Sequence, residues 1–253
     1  MYIINMKNKK FLLISIFFVM FTVLFVSCTD FFSNSWAPWA ARNPNKLIPA
    51  VNPGNVDDLV SMAENNPDLS LSLLKKIQDA LDKDMSEEDK QKLRTSAVDA
   101  AVNAAGLGQA ILGSIDDIGS ITNADDPAKA AKDLLVKALD EMKNVEEAGS
   151  VLFESLPKPD TDDFVFFTEN ANVDQIAMAA VVLIAGEMKK VGEDDLEDYI
   201  ENLTNTSIDK DDYKTVELAM ALAYIVVVGE RSDELSDTLK NVLGGLNLGN
   251  IKL

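Results

Sequence analysis

Acidic side chains supply most of the groups in this chain that could do chemistry. Asp209, Asp211 and Tyr213 fall at the first three ligand spacings of an EF-hand calcium loop. Such a loop needs a glycine at its sixth position for the sharp turn and a bidentate glutamate at its twelfth. Lys214 and Met220 stand there instead, so the cluster reads as a helix start with carboxylates at the positive end of the dipole. Asp160, Asp162 and Asp163 are a looser group that reads as a solvated loop. Glu193, Asp194 and Asp195 have the carboxylates that glycosidase chemistry uses. Sugar sites usually add aromatic surfaces, and no tryptophan follows Trp39, so an acidic helix N-terminus is the simpler reading. Gly106-Leu107-Gly108 with Gly113 lacks both the G-x-G-x-x-G spacing and a preceding strand. Those glycines, like Gly244-Gly245, read as helix C-caps.

Histidine is absent from the sequence, which removes the usual general base, the Ser-His and Cys-His pairs and imidazole metal ligands together. Carboxylate pairs, Ser–Lys dyads and oxygen-ligated metals remain. This inventory argues against an enzyme and calls for no metal. The one thiol is Cys28, and its setting is distinctive.

Lys7, Lys9 and Lys10 precede an uncharged apolar run from residue 11 to residue 26, which meets Ser27 and Cys28. A basic region, an apolar region and a small residue before the processing point are the parts of a secretory signal. Met6 opens a better basic region than Met1 does. The run is shorter than the ~20 apolar residues of a bilayer-spanning helix. Val26-Ser27-Cys28 resembles the lipobox of bacterial lipoproteins, with Ser27 at the small-residue position and Phe25 where the common pattern has leucine. Looser boxes of this kind occur in some bacterial groups, spirochaetes among them. The resemblance covers residues 1–28. It implies removal of residues 1–27 and a diacylglycerol plus an N-acyl chain on Cys28, which is more than the single lipid tail that anchors only marginally. Thr29, not aspartate, follows the cysteine, and by the sorting habit of enteric lipoproteins this favours the outer over the inner membrane.

With Cys28 acylated, thiolate and zinc–thiolate sites are lost, and no cysteine remains for a disulfide. A hydrophobic core must hold the fold, and the chain is long enough to build one. Lys and Arg number 23 against 42 Asp and Glu, for a net charge of −19. Such a field repels phosphate backbones and excludes nucleic acid as a partner.

Residues 28–54 read as a tether. Phe31, Phe32, Trp36 and Trp39 are scattered among Ser, Asn, Pro and Gly without helical or strand period. They are membrane-interface candidates, because amphipathic aromatic rings favour the membrane–water boundary; packing back onto the body is the alternative. Helices follow. Asn66-Pro67 is a cap with proline at the first helical position, ahead of the stripe Leu73, Leu74, Ile77, Ala80 and Leu81. Ser86-Glu87-Glu88-Asp89 resembles a capping box and opens a helix carrying Leu93, Ala97, Ala100, Ala101 and Ala104, ending at Gly106. Asp126-Pro127 begins another, with Ala128, Ala131, Leu135, Ala138 and Met142 along one seam.

Leu156-Pro157-Lys158-Pro159 breaks any helix, and residues 157–171 read as a loop with an apolar plug or a short extended piece at Phe164-Val165-Phe166-Phe167. The loop divides an N-terminal helical half, residues 55–156, from a C-terminal one, residues 172–253. The second half has a weak internal repeat: Ile176-Ala177-Met178-Ala179 recurs as Leu218-Ala219-Met220-Ala221, each copy opening an aliphatic run to a Gly-Glu pair. A shorter acidic amphipathic segment follows each. Val181-Val182-Leu183-Ile184 and Tyr224-Ile225-Val226-Val227-Val228 have strand-like composition, but the flanking Ala and Met favour buried helices.

The expected protein is all-α, an antiparallel bundle or array of helical hairpins with solenoid-like repetition, behind an irregular tether. It is expected in the cell envelope, anchored through lipid on Cys28, with no cofactor beyond that lipid. Its expected role is non-catalytic binding or scaffolding of another envelope protein; the alternative is a membrane-active or lipid-carrying body.

Overall fold

In a computed structural model, residues 48–107, 142–192, 214–229, 231–236 and 239 are described. These residues carry seven α-helices and one 3-10 turn: α1 Val56–Ala63, α2 Pro67–Leu81, α3 Glu87–Ala105, α4 Val145–Ser155, α5 Asp162–Asn170, α6 Val173–Val191, α7 Lys214–Val227 and the turn Ser232–Glu234. The fold is all-α. Cys28, Phe31, Phe32, Trp36 and Trp39, the helix expected from Asp126-Pro127, Glu193-Asp194-Asp195 and Asp209-Asp211-Tyr213 lie outside the described residues.

Helix starts follow from local chemistry. The Asn66 side chain accepts from Leu69 N and Pro67 sits in the first turn of α2. Ser86 accepts from Asp89 N at 3.2 Å to open α3, with Glu87, Glu88 and Asp89 in the first turn, where the dipole favours them. Asn172 accepts from Asp174 N to open α6. Gly106 and Gly192, at φ +71° and +77°, end α3 and α6 in the left-handed conformation that side chains resist.

A five-residue connection, residues 82–86, joins α2 to α3, and the two pack as a hairpin. Leu73, Leu74 and Ile77 of α2 and Leu93, Ala97 and Ala101 of α3 are each fully buried, as the stripes require. At the end of α1, Ala63 O accepts from the buried Ser70 hydroxyl of α2. Helix α6 lies against α3, α4 and α7 and is buried on nearly every side; Ile176, Ala177, Ala180, Val182 and Leu183 have no exposed surface. The strand-like runs of α6 and α7 are helical. The crossing of α4 and α6 is set by two glycines. A Cβ on Gly186 would stand 2.9 Å from Val145 O and 3.0 Å from Gly149 Cα, so the backbones touch.

Residues 157–171 depart from expectation. They are not a loop or an extended piece, because Asp162–Asn170 is helix α5. Thr161 Oγ1 accepts from Phe164 N at 3.1 Å, Asp162 and Asp163 occupy the first turn, and Phe164 and Phe167 share one buried side. The density of phenylalanine imitates a strand, whereas the cap and the acidic turn select a helix. Asp160, the only non-glycine residue of positive φ among those described (65°), turns the chain into it. Among the described residues, α6, from the expected C-terminal half, packs on α3 and α4 of the N-terminal one in a shared hydrophobic core. The tether is shorter than expected at its far end, since Ile48 and Val51 are buried in the core.

Candidate functional site

The richest polar constellation among the described residues is the seam between α3 and α5, continued to residue 231. Positions 87, 91 and 94 fall three and four apart, so helix geometry puts Glu87, Gln91 and Arg94 on one face of α3. Gln91 and Arg94 are buried there. The Gln91 amide donates through Nε2 to Phe167 O at 3.2 Å. Arg94 reaches Asp163 with Nη2 at 2.7 Å, while its Nη1 lies 3.8 Å from Glu87 Oε2. Lys90 pairs with Glu87 at 2.6 Å. The hydrogen bond from Arg94 holds the Asp163 carboxyl below its ordinary value, and the one that Lys90 donates to Glu87 holds the ammonium above its own.

At the other end of α5, Arg231 donates to Thr168 O and Ala171 O at 2.6 and 2.9 Å and pairs with Glu234. A guanidinium on the last carbonyls of a helix satisfies acceptors that have no partner within it. One helical turn or so beyond Arg94, Asp99 accepts from Gln175 Nε2 through both carboxylate oxygens, at 2.9 and 3.0 Å. Burial pushes the Asp99 carboxyl up despite that bond.

A second feature is an open groove of about 540 Å³ at the start of α4, lined by Lys143, Asn144, Glu146, Glu147, Ser150 and Lys190. Its charges are mixed, and some are engaged. Lys75 pairs with Glu147, Lys190 with Glu187, and Asn144 donates to Asp68. Such a lining suits polar protein or solvent contact and carries no excess of either charge.

Among the described residues no group of three His, Cys, Asp or Glu side chains is placed to hold a metal ion. Of the Asp160, Asp162 and Asp163 cluster, Asp163 is spent on Arg94 and Asp162 lies in the first turn of α5. No described helix is long and apolar enough to cross a membrane.

The polar pins of α5 escape a reading of periodicity, which marks apolar positions and passes over the polar ones between them. One signal was present. The chain has three arginines, Arg42, Arg94 and Arg231, and the two in the described residues both seat α5. Comparison with family models, with curated proteins and with solved structures finds no match for this chain.

Proposed function

We propose that the chain is a lipid-anchored protein of the bacterial cell envelope whose helical body is a non-catalytic binding or scaffold module for another envelope protein. The observation that carries this reading is the leader: Lys7, Lys9 and Lys10, the apolar run of residues 11–26, and Ser27-Cys28. The lipid on Cys28 would be the membrane attachment, with Phe31, Phe32, Trp36 and Trp39 at the interface and the outer membrane as the favoured site. Composition supports a binding role, since a chain without histidine and with one cysteine lacks the common nucleophile–base pairs.

The aliphatic runs that motivate a lipid-carrying body lie in α6 and α7, and most of their large side chains are buried against neighbouring helices. Core packing accounts for those buried side chains, while Tyr224 and Val228 are exposed. Crosslinking in living cells from exposed positions such as Ser150 and Val165 tests the binding reading. A discrete adduct with one envelope protein is expected. Adducts with lipid alone would sink the reading in favour of a membrane-active body.

A further inference from the structure

The seam between α3 and α5 holds three polar atoms without a hydrogen-bond partner in the protein: Glu87 Oε2, Gln91 Oε1 and Arg94 Nη1. Each is itself buried, and Gln91 and Arg94 are both only 8% exposed as whole residues. Leaving such groups unsatisfied costs about 1–3 kcal/mol apiece, more where charge is involved. Reversing the Gln91 amide gives no relief, because its Nε2 is committed to Phe167 O. Arg94 Nη1 and Glu87 Oε2 lie 3.8 Å apart, too far for a direct hydrogen bond and close enough for one small molecule to touch both.

The chemistry of the three atoms selects the occupant. Two accept and one donates. An anion would meet a carboxylate and a carbonyl oxygen, and a cation would meet the Arg94 guanidinium. An alcohol has one hydroxyl proton and would leave one acceptor unsatisfied. Water has two protons to give and a lone pair to receive, and buried waters typically make about three hydrogen bonds.

We propose that a single internal water molecule is bound between α3 and α5, donating to Glu87 Oε2 and Gln91 Oε1 and accepting from Arg94 Nη1. The water satisfies the α3 side chains that hold α5, Gln91 on Phe167 O and Arg94 on Asp163. A crystal structure of the full chain, at a resolution that places ordered solvent, tests this. Expected is a well-ordered water within hydrogen-bonding distance of all three atoms, and loss of that water in Gln91→Met. The proposal is overturned if Gln91 Oε1 bonds directly to a protein donor, if the site is dry, or if the density is too large for water. Should Gln91→Met fail to fold, the unsubstituted chain alone decides.

Discussion

Arg94 and Arg231 grip α5 from two sides, one through a carboxylate and the other through helix-end carbonyls. Because Arg94 is buried and Asp163 half-buried, removing the guanidinium deprives Asp163 of its hydrogen bond and leaves the seam between α3 and α5 unfilled. Arg94→Ala is expected to cost about 1–3 kcal/mol of stability in urea unfolding. Asp163 contributes stability above the ordinary carboxylate pKa and loses it as pH falls through its depressed value. The variant should therefore lose less on acidification than the parent. Asp99 has the opposite sign. Its folded pKa is raised, so its charged form opposes folding, and the cost disappears as pH falls below the unfolded value of 3.8. Asp99→Asn, which keeps an acceptor for Gln175, is expected to gain stability at neutral pH. The gain should shrink toward zero in acid; urea unfolding at both pH values checks it.

Among the elements, α5 separates two readings of one sequence. A strand would place Phe164 and Phe166 on one face and Val165 and Phe167 on the other. The helix buries Phe164 and Phe167 and leaves Val165 51% exposed. Phe167→Ala should therefore cost about 3–5 kcal/mol, whereas Val165→Ala should stay within about 0.5 kcal/mol, as thermal unfolding would show. At the α4–α6 crossing, Gly186→Ala pushes a methyl group into the Val145 carbonyl. Backbone cannot rotate away as a side chain can, so about 1–3 kcal/mol of destabilisation is expected in the same assay. The apolar stripes of α2 and α3 and the caps Asn66 and Ser86 were legible because capping chemistry and 3.6-residue period act locally. Helix α5 was not, since Pro157 and Pro159 and a phenylalanine cluster outweighed Thr161-Asp162-Asp163 in a local reading. Arg94 and Arg231 were illegible as pins because their partners lie 69 and 60–63 positions away.

At the scale of the molecule, the described residues of both expected halves share one core, and α6 is its centre. An apolar helix of that length needs cover on all sides, and α3, α4 and α7 supply it from both sides of the expected boundary. The all-α class was legible in the sequence. Which helices α6 pairs with was not, because helix-to-helix pairing depends on contacts far apart in the chain. The proposed function belongs to the chain as a whole and rests on one residue, Cys28. Its most direct test is metabolic labelling with a fatty-acid probe in a bacterial host, comparing the parent with Cys28→Ala. Expected are a labelled parent whose processed N-terminal peptide begins at acylated Cys28, and an unlabelled variant that retains its leader. A variant still carrying label, or a parent with a free Cys28 thiol, would contradict the proposed function.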